Sequence, residues 1–135
     1  DGKAEVKLMS NTGAVEIHPA SVLWNHTDYR YPFLIYHEKV KTSKVYLRDA
    51  TMITPYSLLL FGGNIKVDHT MGQVVVDEWI RFNVPAQHAV LIHQLRMEIN
   101  NLLQRKITDP KYDALSCAQS NKVVQAVSTL MKSEG

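Results

Sequence analysis

The chain has 135 residues, a formal net charge of +2, 45% hydrophobic and 21% charged residues, and one cysteine, Cys117. A chain of this size buries about two-thirds of its unfolded surface, enough for one globular domain with a real core. The near-neutral balance excludes a uniformly basic, polyanion-coating protein, the single cysteine excludes an internal disulfide framework, and no run of about 18 apolar residues offers a membrane span.

The N-terminal DGKAEVKL lacks the apolar stretch of a signal peptide, has no initiator Met and begins almost inside a strand pattern, so it reads as a piece of a longer chain. Alternation in EVKLM (5–9) and AVEIH (14–18), with SNTG between them, predicts a hairpin whose Gly13 takes positive φ. HPASVL reads as a short helical turn opened by Pro19, and residues 24–32, polar and aromatic, as a loop. FLIYHEKVK (33–41) and KVYLRDA (44–50) are predicted strands. ITPYSLLLF (53–61) suits a short helix with Thr54 as N-cap and Pro55 first, stopped by Gly62-Gly63. Residues 64–68 and 73–82 read as strands around a Thr70–Gly72 turn. Ile92, Leu95, Ile99, Leu102 and Leu103 repeat at spacings of three and four and, taken with Val90, are read as one face of a long helix from Pro85 to about Ile107. A last helix spans about 117–131, with Ser116 and Gln119 as a capping box. The expected class is therefore mainly β: a small antiparallel barrel with a short inserted helix and appended C-terminal helices, divided into 1–108 and a helical extension, 109–135.

Charge is polarised along the chain. Arg30, Lys39, Lys41, Lys44 and Arg48 stand against one acid, Glu38, whereas residues 49–80 hold Lys66 against Asp49, Asp68, Asp77 and Glu78. Pairing the two strands around a Thr42-Ser43 turn would bring Lys39, Lys41, Lys44, Tyr46 and Arg48 near one another. Cations attract a phosphate chain and an aromatic ring stacks on a base, so this composition suits a single-stranded nucleic-acid surface; solubilising lysines on an outer sheet face are the plainer reading.

Catalytic signatures are missing. There is no G-x-x-x-x-G-K-[ST] string, and His37-Glu38 starts an H-E-x-x-H that ends in Lys41. His88 and His93 sit on different helical faces, so no metal is expected. Cys117 reads as a small packing residue, Asp77-Glu78 as a solvated acid with a cap or hairpin partner, and Trp24, Trp79, Phe61 and Phe82 as core.

Three stretches together, VEIHPASV (15–22), FLIYHEKVKTSKVYLRDATMITPYSLLLFGG (33–63) and VVVDEWIRF (74–82), resemble the C-terminal OB-fold region of DEAH-box/RNA helicase A-type RNA helicases, most nearly the branch with G-quadruplex-resolving members. The resemblance runs through the helix ending near Ile107, and the tail from Asp109 is similar to the helicase's C-terminal extension. It implies an accessory domain that guides single-stranded RNA or DNA and docks on the helicase core of its own chain, with ATP and Mg bound by motor domains lying elsewhere. The fragment itself would carry no catalysis and no cofactor, inside the cell, in nucleus or cytoplasm. A platform docking the motor and its cofactors through TPYSLLLF (54–61) is the alternative. The resemblance places His18 and Ser21 of the HPAS loop on the nucleic acid, and Lys39, Lys41, Thr42, Ser43 and Lys44 on its backbone, beside the Tyr46 and Arg48 that parity adds. Ala20 stands where many relatives carry a polar residue.

Overall fold

The computed structural model describes residues 6–134, and among these nine strands precede or flank a short helix and lead into two longer ones. The chain divides between Pro55 and Tyr56 into two compact units.

The first unit opens with β1 (Leu8–Ser10) and β2 (Gly13–Ile17), an antiparallel hairpin closed by Asn11-Thr12, with Gly13 at φ +122° as the sequence requires. The predicted positions 5 and below lie outside the described residues. The expected helical turn at HPASVL is instead a staircase of turns. Ser21 N–H donates to His18 O, Trp24 N–H to Ser21 O and His26 N–H to Leu23 O, at 2.8–3.0 Å.

The long strand predicted over 33–41 breaks at Tyr36-His37 into β3 (Phe33–Ile35) and β4 (Glu38–Lys41). Each half finds a different partner: β4 pairs with β5 (Val45–Arg48), while β3 pairs with β6 (Thr51–Ile53), a strand the sequence reading missed, having given only Ile53 to the following helical stretch. Asp49, at φ +53°, makes the corner between β5 and β6. The principal sheet has the order β1-β2-β5-β4, in which β2 and β5 are parallel. The architecture is mainly β and rich in antiparallel pairs, but the strands form separate sheets rather than a closed barrel. Val15, Ile17, Leu47 and Ala50 are its buried core, with Leu8, Leu23, Leu34 and Val45 packed against them.

The second unit begins with α1 (Pro55–Phe61), which buries Leu58, Leu59 and Leu60. Gly62 stops it by donating its N–H to Leu58 O. A three-stranded sheet follows, β7 (Ile65–Asp68), β8 (Gln73–Val76) and β9 (Ile80–Asn83). Val74 and Val76 on its central strand are wholly buried, each stabilising the fold by about 1.5–3 kcal/mol. The continuous strand expected over 73–82 is a hairpin, because Asp77 and Glu78 both take left-handed φ (+49° and +68°). Their chemistry replaces the missing glycine: Asp77 Oδ1 accepts the Asn64 N–H at 3.0 Å, and Glu78 pairs with Lys66 at 3.2 Å.

Helix α2 (Ala86–Thr108) packs Ala89, Ile92 and Ile99 inward, against β8 and α3 (Ala118–Glu134). From α2, Arg96 reaches the C-terminus of α1 and donates to the carbonyls of Leu59, Gly62 and Gly63 (2.8, 2.8 and 2.5 Å). Burial lowers its pKa and the nearby Asp77 charge raises it. The capping box expected at Ser116 does not form, since its hydroxyl donates to Asp113 O instead. Cys117 takes the start of α3, its carbonyl accepting the Asn121 N–H.

Candidate nucleic-acid interface

The predicted site residues lie in the first unit, and the β4–β5 register decides which of them meet. Thr42–Lys44 form a three-residue loop, so Lys41 faces Val45, Lys39 faces Leu47, Val40 faces Tyr46 and Glu38 faces Arg48. Directly paired residues share a side of the sheet. Lys39 and Lys41 therefore project from the side of Val45 and Leu47, and Tyr46 and Arg48 from the other. The expected cluster of Lys39, Lys41, Lys44, Tyr46 and Arg48 is split. A two-residue turn would have paired Lys41 with Lys44, and one residue of register moves every side chain across the sheet.

Lys39 is half-buried and committed elsewhere, donating to Ser10 Oγ (2.9 Å) and Thr12 Oγ1 (2.5 Å) at the β1–β2 turn. Lys41, Thr42 and Ser43 are exposed at the ribbon's end, where Thr42 N–H donates to Lys44 O (2.8 Å).

On the opposite side the parallel β2–β5 pairing sets Glu16 beside Tyr46. The next step brings His18 to Arg48, with His18 N–H donating to Leu47 O at 2.9 Å. The His18 ring meets Tyr46 edge-on, centroids 5.8 Å apart at 82°, and its Nε2 lies 3.4 Å from the Arg48 guanidinium. Nδ1 accepts the Ala20 N–H at 3.1 Å, which assigns the proton of a neutral ring to Nε2. Nε2 and the guanidinium thus face each other beside a tyrosine ring, and an oxygen of a phosphate or base edge that accepted from both would relieve this donor–donor contact. Ser21 sits one turn on, half-buried, its backbone closing the His18 turn.

The electrostatics of this side are compensated. Lys44 Nζ lies 2.6 Å from Glu16 Oε1, and Arg48 3.7 Å from Glu38 Oε2. It is a face of donors and rings in which each cation stands beside an acid, not a bare basic track. Among the described residues no group of His, Cys, Asp or Glu is placed to hold a metal ion, and no helix is long and apolar enough to cross a membrane.

The sequence reading put Trp24, Trp79 and Phe61 in the core, but they are 42%, 44% and 58% exposed. Cys117, read as packing, is pulled from an ordinary value near 9 down to about 7, chiefly by the Ser120 N–H, with Tyr112, the Ser120 hydroxyl and the Gln119 N–H adding to it.

Small antiparallel-rich sheets leading into two long helices define the class, a mainly β domain with appended C-terminal helices. Residues 1–65 match the family model for the oligonucleotide/oligosaccharide-binding (OB) fold, and residues 72–133 match that for the C-terminal domain in RNA helicases. The chain belongs to the C-terminal OB-fold region of DExH-box RNA helicases. It is 47% identical over 108 residues to the ATP-dependent DNA/RNA helicase DHX36 of Homo sapiens, covering 78% of this chain and 11% of the relative. It is 40% identical over 122 residues to the ATP-dependent RNA helicase DHX29 of Mus musculus (90% and 8%). It is 38% identical over 136 residues to the chloroplastic DExH-box ATP-dependent RNA helicase DExH4 of Arabidopsis thaliana (100% and 9%). The chain spans about a tenth of the length of these relatives.

Proposed function

We propose that this chain is an accessory domain that guides single-stranded nucleic acid for an ATP-dependent DExH-box helicase, acting on RNA or on both RNA and DNA, G-quadruplexes included. The observation that carries the reading is the His18–Tyr46–Arg48 cluster: two donors 3.4 Å apart beside a ring, where the turn that follows β2 lies against the end of its parallel neighbour β5. Lys41, Thr42, Ser43 and Lys44 extend the contact along the ribbon's end, and Ser21 extends it along the turn; Lys39, tied to Ser10 and Thr12 on the other side of the sheet, takes no part in it. Hydrolysis, with ATP and Mg, belongs on this reading to motor domains of the parent chain, which are also its docking partner, in nucleus or cytoplasm.

The test is an NMR titration with short single-stranded oligonucleotides at low and high salt. Shifts centred on His18, Tyr46 and Arg48 that fade as salt rises are expected. Shifts confined to the second unit would reject the site.

A docking platform remains the second reading, favoured by a different surface from the one first expected. Leu58, Leu59 and Leu60 of TPYSLLLF are buried, while Val90, Leu91 and Met97 on α2 are 47%, 60% and 52% exposed.

A further inference from the structure

The segment that follows the His18 turn displays rings that neither the core nor the donor cluster uses. Leu23 packs on the core of Val15, Ile17, Leu47 and Ala50, and pins the staircase from the inside. Its neighbours point the other way: Val22 is 98% exposed and Trp24 42%. Asn25, at φ +64°, then turns the chain, and His26 meets Tyr29 edge-to-face at 5.4 Å and 88°. The Arg30 guanidinium lies 5.3 Å from the centroid of the Tyr31 ring. An indole left this open costs apolar burial that a core position would have gained. It is held by successive backbone turns rather than left on a loose loop, so its side chain is presented at little further entropic cost.

We infer that Trp24 is a stacking platform for an unpaired nucleobase, in a segment that also carries the His26–Tyr29 pair and the Arg30–Tyr31 contact. The inference rests on the reading of His18 and Arg48 as a contact for the nucleic-acid backbone, because the turn staircase runs without a break from His18 to Trp24. A strand whose phosphate meets His18 and Arg48 would present its neighbouring base to the indole. Two features favour a base over an apolar protein segment: the exposed indole is followed by exposed His26 and Arg30, each against a half-buried tyrosine ring, and the segment continues directly from the His18 turn. Stacking on an aromatic face is sequence-tolerant, so the platform takes any base and discriminates against a bare sugar–phosphate chain.

The experiment uses the 135-residue chain with Trp79→Phe, so that Trp24 is the reporting indole. It is titrated with oligouridylate and with an abasic oligomer of equal length. Quenching of Trp24 by the base-bearing strand alone is expected, with Trp24→Ala binding it roughly ten-fold more weakly and Trp24→Phe retaining most of the affinity. Circular dichroism confirms that each variant is folded. Binding that depends on Arg48 but leaves Trp24 emission and the Trp24→Ala affinity unchanged would overturn the platform while leaving the phosphate contact standing, and would return this surface to a protein partner. Absence of binding by either oligomer would overturn both.

Discussion

His18 Nε2 and the Arg48 guanidinium stand 3.4 Å apart, although 30 positions separate them along the chain. With Nδ1 accepting from Ala20, a neutral imidazole carries its proton on Nε2, so the two groups meet as donors. Charge-assisted hydrogen bonds of this kind are worth about 1.5–3 kcal/mol. Arg48→Ala should therefore weaken single-strand binding roughly ten-fold or more by that same measure, and flatten the log–log salt slope by about 0.7. His18→Phe keeps a ring against Tyr46 but loses the donor, so it should weaken binding as well. Fluorescence anisotropy over a salt series reads both.

Glu16 holds the Lys44 ammonium at 2.6 Å in a pair whose side chains are 61% and 45% exposed. Such a pair adds less than about 1 kcal/mol to stability. Glu16→Gln should leave the unfolding midpoint nearly unchanged while tightening oligonucleotide binding, since it removes a negative charge from the face and releases Lys44 from that carboxylate. Weaker binding by the variant would mean that this side of the sheet is not the one a polyanion meets.

Gly63 has no room for a side chain, because a β-carbon there would collide with the Asp77 carboxylate that accepts the Asn64 N–H. Gly63→Ala should cost about 1–3 kcal/mol, the usual cost of overpacking, measured as a lower urea midpoint at constant slope.

Arg96 ties α2 to the end of α1 through three carbonyls. Arg96→Met leaves those acceptors without their charged donor and should destabilise the second unit by about 2–4 kcal/mol, whereas Arg96→Lys, with a point charge in place of a fork, should recover only part of the loss. Thermal unfolding distinguishes the two.

The Cys117 thiol, brought down to about 7 by donors at the start of α3, should alkylate with iodoacetamide at a rate that rises through neutral pH instead of near pH 9. Because the folded value is depressed, the linked stability is fully present above the unfolded value near 9 and is lost as pH falls through about 7. Tyr112→Phe, which removes one donor, should move the alkylation profile towards higher pH.

Much of this fold is legible in local signals. Gly13 after Asn11-Thr12, Pro55 at the head of α1 and the three–four spacing of α2 each act within a few residues, and each element forms where its signal stands. The failures share a cause as well. Asp77, Glu78 and Asp49 take left-handed φ because their surroundings secure the corner, as the Asn64 and Lys66 contacts do for Asp77 and Glu78, and no composition marks a carboxylate for that role. At the candidate site the histidine turn and the alternation of β5 were readable, but the face reached by Lys39 and Lys41 depended on whether the ribbon loop held two residues or three. Thr-Ser-Lys carries neither glycine nor asparagine to decide it.

The parallel pairing of β2 with β5 also governs when the donor face comes into being. Strands running in the same direction cannot zip from a tight turn, so the chain between them must be synthesised and looped back before His18 and Arg48 are neighbours. On the ribosome, a nascent chain therefore lacks the paired His18–Arg48 face until β5 has cleared the exit tunnel.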